Sequence, residues 1–246
     1  MAMGNTQKES DTLCTSETWV GRADCVHCAV RGKVLFSDLP KSTLDDILTP
    51  INVYCYPKED VIYHEDDQAP WVYTIRKGIV KLVRYLADGT PRIVRLLKVG
   101  DAFGFECMVD EKYEHTAIAI KTTEVCRIPV SVIAHLDDTS HELHTNLINR
   151  WEEHLQYADN FIALLSTGSL RRRIAALIDM LSDLTMNGDR EHVELFGRDD
   201  LAAMVGVRAE SVSRIIAELK RERILEPLGN EVYRYDRRAL QKYATS

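Results

Sequence analysis

The amino-acid sequence predicts an α+β protein with a β-rich N-terminal half, one long helix and a C-terminal helix-turn-helix. Three observations lead to this fold class. Residues 50–129 contain short apolar or alternating runs that are separated by turn residues. Residues 140–165 contain neither Gly nor Pro and repeat apolar residues at helical spacing. Residues 199–221 show a short helical pattern, a glycine and a longer amphipathic pattern.

The composition is that of an ordinary globular chain and excludes several classes of protein. The chain has 246 residues, 45% of them hydrophobic and 28% charged, with a net charge of −7. Its longest apolar runs are five residues, whereas a membrane span needs about 20. The first twenty residues lack the basic start and apolar stretch of a secretory signal. We therefore expect a cytoplasmic protein without membrane partners, whose six cysteines are thiols, metal ligands or redox sensors rather than structural disulfides.

The N-terminal half is predicted to be a sandwich or rolled barrel of short strands. Residues 1–24 are polar and aperiodic, so no regular structure is predicted for them. The dipeptide Asp88-Gly89 is a hairpin signal between two β-branched runs. The predicted strands are residues 72–75, 79–86, 93–97, 117–120 and 124–128.

The long helix carries the heptad spacing of a two-stranded coiled coil. Its apolar residues alternate at intervals of three and four, and polar residues such as Asn149 and Gln156 flank them. An amphipathic helix packed on its own core would show a similar pattern, but the polar flanks favour a homodimer seam. The predicted seam residues are Ile148, Trp151, Leu155, Ala158, Ile162 and Leu165. Ser169 is expected to cap the next helix, residues 170–184.

The C-terminal pattern predicts a helix-turn-helix that binds DNA. Gly206 supplies the tight turn, and residues 209–221 form a helix with Glu210, Ser213 and Arg214 on its exposed face. A solvated ion pair between Glu210 and Arg214 would explain two of these residues equally well. Ala202, Gly206, Val212 and Ile215 stand at helix-turn-helix spacing and the strand-like residues 224–225 and 232–234 follow them, which favours DNA binding. The net charge of +1 for residues 167–246, against −8 for the rest, agrees with this.

Two stretches of the chain resemble the cAMP-receptor-protein/FNR superfamily of bacterial transcription regulators. They are RKGIVKLVRYLADGTPRIVRLLKVGDAFGFE and DDLAAMVGVRAESVSRIIAELKRERIL. The resemblance implies a cyclic-nucleotide-binding-like β-roll, a dimerisation helix and a winged helix-turn-helix. It also implies a homodimer on a palindromic operator of double-stranded DNA, with RNA polymerase as a partner. The implied division is a cysteine-bearing segment (1–34), a β-roll (35–138), a dimerisation helix (139–166) and a DNA-binding domain (167–246).

The resemblance does not extend to the cyclic-nucleotide site. Members that bind cyclic nucleotides carry an Arg-Ser pair that clamps the phosphate, and His115 and Thr116 stand at those positions here. Acidic residues crowd the same stretch, so phosphate binding loses its main attraction. We expect no cAMP in this protein.

The cysteines resemble those of the oxygen-sensing FNR branch, in which four cysteines hold a 4Fe–4S cluster. The resemblance assigns Cys14, Cys25, Cys28 and Cys126 as ligands, and the short C-x-x-C loop lets two sulfurs reach one cluster. The N-terminal spacing is wider than in that branch, so Cys107 is an alternative to Cys14. Cys55 lies between two tyrosines and is interpreted as a buried core thiol.

Other interpretations of the cysteines stay open. They could be free thiols, a thiol–disulfide switch formed by Cys25 and Cys28, or a zinc site. The regulator could also respond to another ligand, with inert cysteines. A different class is an iron–sulfur or thiol electron-transfer protein. The sequence contains no nucleophile elbow, phosphate loop or metalloprotease motif, and we therefore expect no enzyme.

The exposed face of the recognition helix specifies the branch further. The pattern Glu210-x-x-Ser213-Arg214 resembles the one that accompanies half-sites of the TTGAT type in the FNR branch. In that assignment Arg214 contacts a guanine, Glu210 the opposing cytosine and Ser213 a thymine. The remaining predicted DNA contacts, to phosphates, are Arg208, Lys220 and Arg221.

Overall fold

The computed structural model describes residues 14–24, 27, 28, 30, 51–109, 111–139, 141–186, 189 and 191–245. Its N-terminal half contains short strands and, at Phe105–Met108, a 3-10 helix. In chain order the strands are β1 (Thr18–Arg22), β2 (Asn52–Tyr56), β3 (Val61–Tyr63), β4 (Trp71–Lys77), β5 (Val80–Tyr85), β6 (Pro91–Leu97), β7 (Ala102–Phe103), β8 (Thr116–Ala119) and β9 (Thr123–Pro129).

These strands form two antiparallel sheets, which together are called the β-roll below. One sheet has the order β1-β2-β9-β4-β7, and the other has the order β3-β8-β5-β6. The hairpin between β5 and β6 turns at the predicted Asp88-Gly89. Gly89 has a φ of 79°, and the Asp88 carboxylate accepts a hydrogen bond from the Thr90 amide at 2.9 Å. The strand-rich half expected from the sequence is confirmed.

The two sheets share an aromatic and aliphatic core. The rings of Tyr63 and Tyr113 stack with their centroids 3.7 Å apart, and those of Tyr73 and Phe103 lie 5.2 Å apart. The Tyr113 hydroxyl donates a hydrogen bond to the Trp71 carbonyl at 2.8 Å, so this buried polar group is satisfied. The β-roll is therefore a packed scaffold for the loops and helices around it.

Helices follow the β-roll. Ser169 caps the third of them, because its side chain accepts a hydrogen bond from the Arg172 amide at 3.3 Å. Gly206 ends the fourth in the left-handed region, at φ 70° and ψ 48°. The helices are α1 (Val130–Thr139), α2 (His141–Leu165), α3 (Leu170–Thr185), α4 (Arg198–Val205), α5 (Ala209–Arg221) and α6 (Arg237–Thr245).

A three-stranded antiparallel sheet completes the C-terminal part. Its strands are β10 (His192–Glu194), β11 (Leu225–Gly229) and β12 (Val232–Tyr235), in the order β10-β12-β11. The turn between β11 and β12 places Asn230 and Glu231 in the left-handed region, with φ of 49° and 61°. This hairpin follows α5 directly, as the wing of a winged helix-turn-helix does.

The core of the C-terminal part is continuous with one face of the β-roll. Leu201 and Val205 of α4 belong to the same buried cluster as Val83, Ile93 and Leu96 of β5 and β6. This contact fixes where the helix-turn-helix lies relative to the strands, and it was not predicted from the sequence.

Helices α2 to α5 begin and end within one residue of their predicted bounds, and residue 140, the predicted start of α2, lies outside the described residues. Strand β1 contradicts the expectation of no regular structure over residues 1–24, and α1, β10 and α6 were not predicted. Strand β1 forms because it pairs with β2, not because its own residues alternate. Among the described residues, no helix is both long and apolar enough to cross a membrane.

Candidate functional site

Helices α4 and α5 form a helix-turn-helix whose second helix is strongly two-faced. Val212, Ile215, Ile216 and Leu219 of α5 are buried in the C-terminal core. Because these residues fall at helical spacing, the opposite side of α5 faces solvent. The pattern predicted for this helix from the sequence is therefore present in the structure.

The predicted base-contacting residues lie together on that exposed side. Glu210, Ser213 and Arg214 are all exposed, and Glu210 lies in the first turn of α5. Within the described residues no ion pair joins Glu210 to Arg214, so the solvated-pair interpretation finds no contact. A carboxylate, a hydroxyl and a guanidinium on the N-terminal half of a protruding helix are groups that contact base edges in a major groove.

Basic residues flank this face at both ends of α5. Arg208 and Arg221 are exposed, and the Arg208 side chain makes no capping hydrogen bond. Lys220 is half-buried, and its Nζ donates to the Tyr233 hydroxyl at 3.1 Å and lies 4.6 Å from the centre of that ring. Lys220 is therefore held against the β11–β12 hairpin rather than extended into solvent.

Most of the predicted dimer seam is exposed on α2. The side chains of Ile148, Trp151, Leu155 and Ile162 are 50%, 43%, 63% and 61% exposed. Ala158, on the same stripe, is half-buried. Helix α2 thus presents a row of large apolar side chains that none of the described residues covers fully.

Leu165 is a correction to the predicted seam. It is 1% exposed and belongs to the buried cluster that joins the C-terminal core to the β-roll. The heptad spacing continues to Leu165, but helix α3 follows after a short turn and the chain covers this residue itself. The exposed stripe therefore ends at Ile162.

The cysteines are arranged differently from the prediction. Cys14 and Cys55 form a disulfide across 41 residues of sequence, with their Cα atoms 6.1 Å apart. Cys55 is buried, as expected, but it is not a free thiol. The general expectation that the cysteines form no disulfide is wrong for this pair. No sequence pattern connects these residues. Cys14 lies just before β1, and the pairing of β1 with β2 brings it close to Cys55.

The other predicted cluster ligands are only partly described. Cys25 lies outside the described residues, and Cys28 is half-buried. Cys126 is buried on β9, opposite Val53 and Thr74 of the neighbouring strands. Among the described residues no group of three or more His, Cys, Asp or Glu side chains is placed to hold a metal ion.

Cys107, the alternative ligand, lies close to Cys126 in the fold. Cys107 and Ala23 both pack against the buried cluster that contains Cys126. Burial and the nearby Glu106 carboxylate raise the pKa of Cys107 to about 12. Its neutral thiol is therefore the stable form, which disfavours metal ligation in this state.

A cavity of about 540 Å³ lies between the β-roll and α2, where His115 is found. His115 Nδ1 lies 3.0 Å from Glu106 Oε1, and the Arg95 guanidinium lies 3.2 Å from His154 Nδ1. Thr116 is buried, and its hydroxyl accepts a hydrogen bond from the Glu65 amide at 3.1 Å. His115 is thus paired with a carboxylate, whereas Arg95 contacts the imidazole of a second histidine.

Two protein-family models match this chain. The model of the cyclic nucleotide-binding domain matches residues 54–139, and that of the Crp-like helix-turn-helix domain matches residues 172–243. The transcriptional regulator LdrP of Thermus thermophilus is 28% identical over 193 residues, which cover 78% of this chain and 96% of LdrP.

Further relatives and a solved structure agree with these matches. The electron transport regulator A of Shewanella oneidensis is 25% identical over 207 residues, covering 82% of this chain and 81% of that protein. The fumarate and nitrate reduction regulatory protein of Vibrio cholerae is 24% identical over 217 residues, 85% of each chain. The crystal structure of a CRP-family transcriptional regulator from Thermus thermophilus matches with a TM-score of 0.67 and 26% identity, covering 78% of this chain and 96% of that one.

Proposed function

The chain belongs to the CRP/FNR family of transcription regulators, and from this premise we propose that it binds an operator palindrome as a homodimer and responds to redox state through its cysteines. The observation that carries the proposal is the exposed face of α5, where Glu210, Ser213 and Arg214 lie together. The family consists of regulators, so no catalytic activity is assigned. RNA polymerase is the proposed partner at the promoter, and the cytoplasm the proposed location.

The proposed division of labour follows the order of elements along the chain. Residues 1–34 carry three cysteines, 35–138 form the sensor, 139–166 the dimerisation helix and 167–246 the DNA-binding domain. Two α2 helices would cover each other's exposed stripe at Trp151 and Leu155. A twofold dimer then presents two α5 helices to major grooves about 34 Å apart, which calls for a palindrome.

The proposed operator has half-sites of the TTGAT type. Arg214 forms two hydrogen bonds to a guanine, Glu210 accepts from the paired cytosine, and Ser213 contacts a thymine. Arg208 and Arg221 meet phosphates and add affinity without sequence preference. Lys220 has the same assigned role, for which its ammonium would exchange the Tyr233 hydroxyl for a phosphate. This assignment rests on the resemblance of Glu210-x-x-Ser213-Arg214 to the pattern of the FNR branch, and the exposure of the three side chains on α5 supports it.

Binding measurements with Arg214→Ala and Arg208→Ala test this assignment. Both variants remove one exposed guanidinium from the same end of α5, so each is a control for the other. Arg214→Ala should relax the preference at one base pair per half-site by about 1–3 kcal/mol. Arg208→Ala should weaken all sequences alike and reduce the salt slope by about one. An equal loss on every sequence for Arg214→Ala would show that the assigned face is wrong.

For the redox response, the Cys14–Cys55 disulfide favours a thiol–disulfide switch. Closing the bond removes two electrons and two protons from two thiols, and an oxidant such as a small disulfide accepts them to become two thiols. The bond ties the segment before β1 to β2, where the Glu17 carboxylate also accepts hydrogen bonds from the Tyr56 hydroxyl at 3.0 Å and from Arg127 at 2.8 Å. Reduction would leave this segment held by β1 pairing and these polar contacts alone.

A 4Fe–4S cluster is the second candidate. Of its assigned ligands, Cys25 lies outside the described residues and Cys14 is bonded to Cys55. Burial and Glu106 raise the pKa of the Cys107 thiol, so a cluster would have to displace its proton. In its favour, Ala23 precedes the Cys25 and Cys28 pair and packs against the buried cluster that contains Cys126. The relatives also include a fumarate and nitrate reduction regulatory protein and an anaerobic regulatory protein. The cluster would supply oxygen sensitivity, with Cys25, Cys28 and Cys126 as ligands and Cys107 or Cys14 as the fourth.

Thiol counting and iron analysis of the same preparations separate these candidates. If the switch operates, oxidised protein has two fewer alkylatable thiols than reduced protein, and Cys55→Ser abolishes both this difference and the redox dependence of operator affinity. Cys126→Ser then changes neither. If a cluster operates, anaerobically purified protein contains about four irons per chain, and Cys126→Ser removes the chromophore while Cys55→Ser retains it.

A further inference from the structure

Lys81 on β5 is a charged residue buried where the β-roll meets the helix-turn-helix. Only 6% of it is exposed, and its Nζ lies 2.7 Å from Asp200 Oδ1 and 3.0 Å from Glu59 Oε2. Burial alone would lower the pKa of Lys81, but the hydrogen bonds to the two carboxylates raise it overall. The side chain is therefore an ammonium with an anion on each side.

The two carboxylates belong to different parts of the protein. Glu59 lies in the turn after β2, with a φ of 67°, and its amide donates to the Ala119 carbonyl of β8 at 2.7 Å. Asp200 lies in the first turn of α4 and its side chain is 17% exposed. Lys81 is thus anchored to the β-roll through Glu59 and bonded to the helix-turn-helix through Asp200.

The other end of α4 also contacts the β5–β6 hairpin. A Cβ atom added at Gly206 would collide with the guanidinium of Arg92 on β6, so Arg92 lies directly against the turn that follows α4. Arg173 of α3 donates to the Val205 carbonyl at 2.8 Å, in the last turn of α4. The hairpin therefore meets α4 near both of its ends.

Other connections between the β-roll and the helix-turn-helix constrain the orientation of α4 less. The chain links α2 to α3 through residues 166–169, which are all exposed and include Gly168 at a φ of 87°. The shared apolar cluster, which includes Val83 and Leu201, holds the two parts together, but it contains no directional bond between them. Lys121 Nζ, 2.5 Å from Glu194 Oε2, is an additional but more exposed pair.

We propose that Lys81 is a positioning residue for operator binding, because its bond to Asp200 fixes α4 on the β-roll and so sets the separation of the two α5 helices in the dimer. The proposal rests on the homodimeric DNA-binding function proposed above. Helix α5 packs on α4 in the C-terminal core, so any rotation of α4 moves the exposed face of α5 with it.

The proposal predicts a loss of DNA affinity whose size depends on which DNA is bound, and no loss of folding. A dimer with fixed α5 helices binds its second half-site without a further ordering cost, whereas a dimer with loose helices must order them first. Without the Lys81–Asp200 pair, the full palindrome should be bound more weakly. Affinity for DNA with a single half-site should change little, since Arg214 and Glu210 are untouched.

The test uses the full-length chain with Lys81→Met, Asp200→Asn and the double variant. Lys58→Met is the matched control, because Lys58 is exposed in the same turn as Glu59. Binding is measured on the palindrome, on a single half-site, and on palindromes whose spacer is one base pair longer or shorter. Asp200→Asn keeps the test valid if Lys81→Met does not fold.

Each outcome has a clear meaning. We expect Lys81→Met to weaken palindrome binding about tenfold, to change half-site binding less than about twofold, and to tolerate the altered spacers that the parent rejects. The double variant should match the single ones. Spacer profiles identical to that of the parent would overturn the proposal, and so would equal losses on all DNAs. If the parent itself bound no palindrome, the proposed function would be wrong instead.

Discussion

Truncating Leu155 tests whether the exposed stripe of α2 is a dimer interface. Leu155 is 63% exposed in the single chain. Burying a complete leucine side chain contributes about 1.5–3 kcal/mol, so covering this fraction contributes about 1–2 kcal/mol in each chain. The dimer contains two such residues, and Leu155→Ala retains one methyl group from each.

We therefore expect Leu155→Ala to weaken dimerisation by about 2–3 kcal/mol, which raises the dimer Kd about 30- to 150-fold. Leu155→Glu should weaken it further, by several kcal/mol in total, because two carboxylates would also lose their water. Sedimentation velocity over a range of protein concentrations measures both constants under reducing, anaerobic conditions.

Gln156→Glu is the control for charge on this helix. Gln156 is exposed next to Leu155 but lies off the seam, where its amide donates to Glu152 at 3.1 Å. It should dimerise like the parent. If Leu155→Glu were as dimeric as the parent, α2 would not be the dimer helix and its apolar stripe would need another partner.

Three further predictions concern stability. Cys14→Ser should lower the free energy of unfolding of the oxidised protein by about 4 kcal/mol, because the disulfide closes a loop of 41 residues. Urea titrations with and without reductant measure this difference. Reductant should not change the stability of the variant. Gly206→Ala should destabilise the protein by more than about 1 kcal/mol, because Gly206 has a positive φ and Arg92 lies against it. Gly197→Ala should cost less, because the added Cβ meets open space and the substitution only weakens the N-cap of α4. Burial is the main cause that lowers the pKa of His154 to about 4, and the charge of Arg95 is the second. The unfolded chain therefore binds a proton at His154 more readily than the folded protein does. The free energy of unfolding should fall by a few kcal/mol from pH 6.5 to pH 4. If it fell equally steeply with pH in His154→Gln, His154 would not be the residue responsible.

The elements that the sequence predicts well are those whose own residues carry the pattern. Helix α5 places Val212, Ile215, Ile216 and Leu219 at helical spacing, and its bounds are as predicted. Strand β1 carries no such pattern, because Trp19 and Val20 are exposed and the strand depends on pairing with β2. Pairing partners far apart in sequence leave no local signal.

The same limit applies to the site. The sequence predicts that Glu210, Ser213 and Arg214 share a face, because helical geometry alone decides this. It does not predict that Leu165 is covered by its own chain. The spacing of apolar residues shows that a helix face is buried, but it does not identify the element that covers that face. The Cys14–Cys55 bond and the Lys81–Asp200 pair depend on how distant elements pack, and neither has a motif.

The most direct test of the account is selection of bound sequences from random double-stranded DNA by the full-length dimer, repeated with Arg214→Ala. We predict that the parent enriches a palindrome of TTGAT-type half-sites whose centres lie about 10 base pairs apart. Arg214→Ala should enrich the same palindrome without a preference at one base pair in each half-site. Enrichment of unpaired half-sites, or an identical consensus for Arg214→Ala, would contradict the claim that a homodimer recognises its operator through this face of α5.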